Sequence, residues 1–166
     1  FKVRVGEIYG IAGVAGNGQS ELMDILTGEN INNSSGEIIF NKKQIQSFGP
    51  QKRRDLSISF VPENRLGHSA VPELSLSENI LLSQFPDSDF QNNGMISFKN
   101  IEIQAKKVIE KFNVVTPGPE AKASSLSGGN LQKFVIGREI SSKPKLLIIS
   151  HPTWGIAVSY THLTLP

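Results

Sequence analysis

The apolar positions along the chain fall into short runs and longer periodic segments, which predict an alternation of strands and helices. Two short apolar runs, at residues 7–13 and 144–150, are typical of buried strands, and residues 56–61 alternate in polarity and predict a strand that Pro62 ends. The last run contains LLII after Pro144, which indicates a central strand of a parallel sheet. Residues 36–45 predict a further strand with a turn.

Four segments carry the apolar spacing or the start signals of helices. They are residues 19–28, 75–83, 100–114 and the segment that follows Gly129. Gly28 stands where a C-terminal cap glycine is expected, and either Ser75 or Ser77 is expected to cap the second helix. The third helix has one apolar face opposite its lysines. That face consists of Ile101, Ala105, Val108, Ile109 and Phe112.

The stretch GVAGNGQS, residues 13–20, joins the first strand to the first helix and has the form of a phosphate-binding loop. It fits the pattern G-x-x-x-x-G-K-[ST] at every fixed place except one, where Gln19 replaces the lysine. In such a loop, backbone N–H groups and the positive helix end bind phosphate, and the hydroxyl at the place of Ser20 ligates Mg²⁺. The candidate nucleotide-binding residues are Gly13, Gly16, Asn17, Gly18, Gln19 and Ser20.

The missing lysine removes a cation near the outer phosphates of a nucleotide. A charge-assisted hydrogen bond contributes about 1.5–3 kcal/mol, so its loss weakens binding by about one to two decades. Taken alone, the loop is equally consistent with a glycine-rich turn that binds nothing. A dinucleotide-binding loop is excluded because Glu21 stands at the place of the third glycine. NKKQ at residues 41–44 lacks the aspartate with which GTPases read guanine.

The stretch LSGGNLQK, residues 126–133, decides between these interpretations. It resembles the signature of ABC-transporter ATPases, and the order of phosphate loop, signature and apolar strand matches that family. A serine and two glycines can also be an ordinary helix cap, but three motifs in register make that improbable. The resemblance covers nearly all of residues 1–158. It is closest to the second ATPase half of the double-ATPase subunits of sugar and nucleoside importers, which often carry forms similar to GNGQSE, VPENRLG and LSGGN.

This resemblance implies an α/β fold of the P-loop NTPase type, with a mostly parallel core sheet and a helical insert at about residues 63–125. It also implies that two ATPase halves close head to tail on two ATP molecules, so that each ATP lies between one half's phosphate loop and the other half's signature. The residues expected to face the partner's ATP are Ser127, Gly128, Gly129 and Gln132. Glu63, at the place of the family's glutamine loop, and its neighbours Asn64 and Arg65 are expected to contact the membrane permease, or else to form a solvated turn.

The chain departs from the family where its own catalytic strand ends. The family's aspartate, which helps to hold Mg²⁺, and its glutamate, which polarises the attacking water, are replaced by Ser150 and His151. His151 is a candidate base, although lone histidines are more often structural. Ala157 stands where the family has a further aspartate. The signature, by contrast, is intact.

Because the residues replaced belong to the chain's own ATP site and not to the signature, we expect the two ATP sites to have different roles. The chain is expected to bind ATP and Mg²⁺ weakly at its own loop without hydrolysing ATP there, and to lend its signature to the other half. By resemblance, the partners are that other ATPase half, membrane permease subunits and, through the complex, an extracellular substrate-binding protein, at the cytoplasmic face of the cell membrane. The expected cargo is a simple sugar or a nucleoside, with a slight preference for nucleosides. The alternatives are a regulatory nucleotide-binding half and a transporter-independent ABC protein.

Composition and charge add few constraints. The net charge of +2 is too small to indicate a nucleic-acid partner, and there is no cysteine for a disulfide or a zinc site. No apolar run approaches the length of a membrane-spanning helix. Residues 159–166, SYTHLTLP, continue none of the preceding patterns and resemble translated sequencing-adapter sequence. We therefore expect this tail to be foreign to the protein.

Overall fold

A computed structural model describes residues 1–14, 16–31, 36–84, 88–92 and 95–152. Within these residues the chain alternates helices and short strands. The helices are α1 (Gln19–Thr27), α2 (Pro50–Arg54), α3 (Leu76–Gln84), α4 (Phe98–Lys111) and α5 (Gly128–Ser141), with 3-10 turns at Ser88–Phe90 and Ala123–Ser125. The strands are β1 (Ile39–Phe40), β2 (Lys43–Gln44), β3 (Ile58–Val61), β4 (Gln91–Asn92), β5 (Met95–Ile96) and β6 (Leu146–Ile149).

Strands β3 and β6 form the parallel centre of the fold, which confirms both predicted strands. They pair in register from Ile58 opposite Leu146 to Val61 opposite Ile149, and every residue of β3 is buried. The N–H of Ser150 extends the pairing by donating to the carbonyl of Val61 at 2.9 Å. Because parallel strands end at the same edge of a sheet, the residues that follow β3 and β6 come together there.

Helices α3, α4 and α5 pack against one another, α5 also packs against β3, and together they form the main hydrophobic core. The predicted apolar face of α4 is confirmed, since Ile101, Ala105 and Val108 are buried and the other two members pack against the core. Gly137 allows α5 to approach α4 closely, because a Cβ there would lie 2.5 Å from a ring carbon of Phe112. The core therefore holds α5 in a fixed place relative to the parallel strands.

One buried arginine joins α1 to α2. Gly28 ends α1 in the left-handed conformation, at φ 85°, which confirms it as the C-terminal cap. Arg53 of α2 is completely buried, and its Nη1 donates to the carbonyls of Ile25 and Leu26 at 2.7 Å each. These carbonyls are among the groups that a helix end leaves without intrahelical partners. Arg53 thus fixes α2 to the end of α1, and burial lowers the pKa of Arg53.

A capping box begins α3. Oγ of Ser75 accepts a hydrogen bond from the N–H of Glu78 at 3.1 Å, and Oε2 of Glu78 accepts in turn from the N–H of Ser75 at 2.8 Å. The two bonds satisfy two N–H groups at the helix start. Hydrogen bonding by Ser75 also lowers the pKa of Glu78. Of the two predicted caps, the structure therefore selects Ser75 rather than Ser77.

Two short antiparallel hairpins complete the described elements. β1 pairs with β2, and the turn between them places Asn41 and Lys42 at positive φ values of 48° and 66°. Two successive residues with positive φ suit the tight turn of a hairpin, and the strand and turn predicted at 36–45 are confirmed. The second hairpin pairs β4 with β5, and the sequence pattern does not predict it.

The prediction of a buried strand at residues 7–13 is wrong in this structure. The segment forms no strand, and Ile8 and Ile11 are 82% and 50% exposed. A strand needs a neighbouring strand to satisfy its N–H and C=O groups. Within the described residues the parallel sheet consists of β3 and β6, and the apolar run pairs with neither.

The segment between β3 and α5 contains α3, α4 and the second hairpin, so it is helical in part. The boundaries of the insert, at about 63–125, and of a domain at 1–158 stay predictions. Ala157 and the tail at 159–166 lie outside the described residues. In the part of the chain that the structure describes, no helix combines the length and apolar character needed to span a lipid bilayer.

Candidate functional site

The glycine-rich loop leads into α1 as predicted. Gly16 and Gly18 have φ values of 82° and 91°, a conformation that glycine adopts without strain. Asn17 lies between them and closes a turn by donating from its N–H to the carbonyl of Val14 at 3.2 Å. Ser20 is exposed in the first turn of α1. The loop therefore offers the backbone donors and the positive helix end that bind phosphate groups.

Gln19 folds back over this loop. Its side-chain Nε2 lies 2.6 Å from the place that a Cβ on Gly13 would occupy. A side chain at residue 13 would therefore collide with Gln19. The amide of Gln19 can donate hydrogen bonds to an anion, but it brings no positive charge to the place that the loop pattern assigns to lysine.

Ser127 caps α5 through its hydroxyl oxygen. Its Oγ accepts from the N–H of Asn130 at 3.4 Å and from Nδ2 of Asn130 at 3.0 Å. A serine hydroxyl has two acceptor sites and one donor hydrogen, so with both acceptor sites in use the O–H can serve as a donor. Ser127 and Gly128 are exposed, and Gly129 is half-buried. An exposed O–H beside the positive end of a helix is suited to bind a phosphate oxygen.

Asn130 is the member of this site that sequence reasoning missed. Its Oδ1 accepts from the backbone N–H of Val115 at 3.0 Å, so Asn130 ties the first turn of α5 to the segment after α4. A serine at a helix start, with asparagine three residues later, was the available signal. Gln132, by contrast, is only 2% exposed, on the core side of α5. Its side chain therefore lies away from the exposed turn that Ser127 and Gly128 form.

Glu63 and His151 meet at the edge where β3 and β6 end. Oε2 of Glu63 lies 3.7 Å from Nε2 of His151, and each side chain is about half exposed. His151 has a left-handed backbone, at φ 47°. A carboxylate beside an imidazole can support proton transfer, and it is also an ordinary surface ion pair when the imidazole is protonated. The carboxylate at this edge comes from Glu63 rather than from residues 150 and 151.

The β3–α3 loop, residues 62–75, carries the rest of the charged trio. The carbonyl of Arg65 accepts from the N–H of Ala70 at 2.8 Å, and that of Asn64 accepts from the N–H of Ser69 at 3.1 Å. Asn64 is exposed, and Arg65 is half-buried. The guanidinium of Arg65 reaches the start of α5, where a Cβ on Gly128 would lie 3.4 Å from Cζ of Arg65. The structure therefore brings one member of this trio, Arg65, next to the signature.

Buried charges anchor the other end of α5. Glu139 is 1% exposed and pairs with Arg54 at 2.7 Å and with Arg138 at 2.9 Å. Arg138 also donates to the carbonyls of Asn79 at 3.0 Å and Ser69 at 2.9 Å. Burial alone would raise the pKa of Glu139, but the two arginines outweigh it and lower this pKa. Burial lowers the pKa of Arg138. The network joins α5 to α2, α3 and the β3–α3 loop.

The glycine-rich loop has backbone donors of the kind that bind nucleotide phosphates, and it has one side chain of a type that Mg²⁺ accepts. Ser20 offers an exposed hydroxyl oxygen, which is a ligand type that Mg²⁺ accepts. Magnesium at nucleotide sites takes its other ligands from carboxylates, water and the phosphates themselves. Across the described ranges, no three histidine, aspartate or glutamate side chains gather in one place.

Comparisons with known proteins agree with one another. Residues 1–154 match the family model for the ABC transporter. The guanosine import ATP-binding protein NupO of Bacillus subtilis is 40% identical, over 99% of this chain and 33% of that protein. The nucleoside import ATP-binding protein NupA of Lactococcus lactis is also 40% identical, over 98% and 33%. The ribose import ATP-binding protein RbsA 1 of Rubrobacter xylanophilus is 34% identical, over 95% and 31%. The chain thus spans about a third of the length of these relatives.

Solved structures show the same fold. A dimeric bacterial ABC transporter cassette has a TM-score of 0.75 at 22% identity, over 94% of this chain and 65% of that chain. An ATP-binding cassette dimer in a post-hydrolysis state, bound to ADP and phosphate, has a TM-score of 0.66 at 21% identity, over 85% and 59%. At this identity the likeness establishes the fold, which is the α/β P-loop NTPase architecture of ABC ATPases. With the match over residues 1–154, it follows that the chain belongs to the ABC transporter family.

Proposed function

We propose that this chain is the second ATP-binding half of an ABC import ATPase, with a weak nucleotide site of its own and a signature that completes the ATP site of the other half. The observation that carries the proposal is the exposed turn at 127–129. It combines the intact LSGG sequence with an exposed serine hydroxyl whose oxygen accepts from Asn130, in a chain whose own loop lacks the lysine. The matched region is 33% of the length of the guanosine importer protein, which leaves room for another ATPase half.

The chain's own site keeps what binding needs and lacks what hydrolysis needs. The backbone donors of the loop and the start of α1 remain, so ATP with Mg²⁺ binds weakly. Phosphoryl transfer depends on stabilising charge on the moving phosphoryl group and on orienting the attacking water. Gln19 supplies no cation, Ser150 and His151 supply no carboxylate, and the nearby carboxylate of Glu63 pairs with His151. Hydrolysis is therefore not expected at this loop.

At the other half's site, this chain supplies donors rather than a base. The O–H of Ser127 and the first N–H groups of α5 bind the outer phosphate of an ATP held by the partner's phosphate loop. These donors are held in place before the nucleotide arrives, by Asn130 at the first turn and by Glu139 at the far end of the helix. Donors fixed in advance stabilise developing charge more than mobile ones do.

The proposed cargo is a nucleoside or a simple sugar. Nucleosides are favoured because the guanosine and nucleoside import proteins are 40% identical to this chain, against 34% for the ribose import protein. An importer also needs membrane permease subunits and an extracellular substrate-binding protein, which places the chain at the cytoplasmic face of the membrane. Glu63, Asn64 and Arg65 are the proposed permease contacts. The loop that carries them also contributes Pro62 and His68 to a cleft of about 440 Å³.

Reconstitution of the full-length protein with its permease in liposomes tests this function. A substrate-binding protein loaded with nucleoside is expected to raise ATP hydrolysis and to drive uptake of the labelled nucleoside. Ribose, tested in parallel, separates the two cargo classes. Hydrolysis that neither the permease nor any cargo alters would contradict the importer function and favour a transporter-independent ABC protein.

Gln19→Lys is expected to tighten nucleotide binding at this chain's own loop by about 10- to 100-fold, because it returns a cation to a loop that already has backbone donors. It is not expected to restore hydrolysis there, since residues 150 and 151 remain without a carboxylate. Titration of wild type and variant with ATP and Mg²⁺ measures the first effect, and turnover with the partner's phosphate loop disabled measures the second. Unchanged affinity would mean that the loop is not a phosphate site. Restored hydrolysis would make His151 the leading candidate base.

A further inference from the structure

The β3–α3 loop holds α5 at two places. Near the end of the helix, Nη2 of Arg138 donates to the carbonyl of Ser69 at 2.9 Å. At the start of the helix, the guanidinium of Arg65 lies against Gly128. Between these points the loop is fixed, because the buried Ala70 donates from its N–H to the carbonyl of Arg65 at 2.8 Å. The position of the first turn of α5 therefore depends on the loop that follows β3.

Arg65 occupies the space that a side chain at residue 128 would need. A Cβ on Gly128 would overlap Nη1 of Arg65 and would lie 3.4 Å from its Cζ and 3.9 Å from its Nη2. Gly128 is the first residue of α5, where the backbone conformation does not require glycine. The contact with Arg65, rather than backbone strain, is therefore what a side chain at this position would disturb.

We infer that Arg65 is a positioning residue for the signature, an inference that rests on the function proposed above. Its flat guanidinium lies against Gly128, and the bond from the N–H of Val115 to Oδ1 of Asn130 holds the same helical turn. That turn carries Ser127 and the N–H donors proposed to meet the partner's ATP. A misplacement of about 1 Å near reacting groups can lower a rate by about 100-fold, so loosening this turn lowers kcat at the partner's site.

The test is a double-mutant cycle in the full-length protein, reconstituted with its permease. Arg65→Ala removes the contact, and Gly128→Ala displaces the flexible end of Arg65, so both single variants break one and the same contact. Each is expected to lower kcat about tenfold, and the double variant is expected to lose about tenfold as well, because contacting residues are not additive. A loss of about a hundredfold in the double variant would overturn the inference, since Gly128 would then act independently of Arg65.

Two further variants separate positioning from charge. Arg65→Lys keeps the positive charge but not the flat guanidinium, so its kcat is expected to stay close to that of Arg65→Ala. Wild-type turnover in Arg65→Lys would overturn the inference, because charge alone would then suffice. Lys106→Ala is the matched control, since this exposed cation pairs with Glu102 within α4 at 2.6 Å, and it is expected to keep wild-type turnover.

Thermal unfolding and Ser127→Arg complete the design. Arg65→Ala is expected to unfold at the wild-type temperature, and a large drop would overturn the inference by assigning Arg65 a general role in stability. If Ser127→Arg abolishes turnover while Arg65→Ala leaves it unchanged, the role of Arg65 is wrong and the proposed function stands. If Ser127→Arg does not change ATP turnover, the proposed function is wrong, and the inference about Arg65 is then wrong as well.

Discussion

Ser127→Arg is expected to abolish ATP turnover by the full-length protein in complex with its permease, whereas Gln19→Ala is expected to keep most of it. Arginine at position 127 removes the O–H donor and also the oxygen that accepts hydrogen bonds from Asn130. Its long side chain then fills the exposed turn. Loss of a single preorganised donor lowers a rate by about 10²–10³-fold, and the added bulk obstructs the partner's ATP as well. Gln19 belongs to the site that is proposed not to hydrolyse ATP, so its loss changes mainly nucleotide affinity there.

Steady-state ATP hydrolysis in liposomes, with nucleotide binding measured alongside, checks this prediction. Ser124→Arg is the matched control, because Ser124 is exposed in the 3-10 turn just before the signature and receives the same bulky side chain outside the first turn of α5. It is expected to keep turnover. Equal damage from Gln19→Ala and Ser127→Arg would show that both ATP sites hydrolyse, and the proposed division of labour would then be wrong.

The parts of the fold that could be predicted from the sequence are those determined by residues close together in the chain. Gly28 ends α1 because a left-handed residue is needed within a few residues of the last helical turn, and glycine marks it. Ser75 and Glu78 form their capping box across three residues. The apolar face of α4 follows from helical periodicity alone. In each case the cause and the signal lie within one element.

The parts that were not predicted depend on residues far apart in the chain. The apolar run at 7–13 has the composition of a strand, but strand formation requires a paired neighbour, which its own residues cannot reveal. Arg53 lies in the charged stretch QKRRD, which local pattern would place in solvent, yet it is completely buried. Its burial depends on carbonyls of α1 and of the segment before α2. A hydrophobic pattern carries no information about such distant acceptors.

The candidate site, like the fold, could be predicted only where its residues lie close together in the sequence. The loop and the signature were found because their residues are contiguous. The meeting of Glu63 and His151 could have been predicted, because both follow predicted strands and parallel strands end at one edge of a sheet. The contact between Arg65 and Gly128 could not have been predicted, since it depends on the path of one long side chain from a loop to a helix start.

Glu139→Gln is expected to lower the free energy of unfolding at pH 7 by about 3–5 kcal/mol, the range for removing one partner of a buried ion pair. Glutamine nearly matches the shape of glutamate, so packing around the side chain is preserved. It brings no negative charge, and the guanidinium groups of Arg54 and Arg138 then lie at 2.7 Å and 2.9 Å from a neutral group. The loss arises from cations left without a counter-charge in a site from which water is excluded.

The ion pairs of Glu139 also determine whether the stability of the protein rises or falls with pH. The two arginines lower the pKa of Glu139 in the folded chain below its value in the unfolded chain. The unfolded chain therefore takes up the proton first as the pH falls. The stabilisation is fully present above the unfolded pKa of glutamate, about 4.3, and is lost as the pH falls from there through the folded pKa. Glu139→Gln lacks this titrating carboxyl group, so the difference between its free energy of unfolding and that of the wild type is expected to become smaller below about pH 4.

Urea unfolding followed by circular dichroism, at pH 7 and in steps down to about pH 3, measures both effects. Glu102→Gln on α4 is the control, because its pair with Lys106 is exposed and therefore screened by solvent, and it is expected to change stability little. A loss at pH 7 no greater than that of the control would show that Glu139 does not anchor α5. A loss that stays constant on acidification would show that shape, rather than charge, explains it. If the charge does anchor the helix, Glu139→Gln also loosens the far end of the element that presents Ser127, so turnover at the partner's ATP site falls with stability.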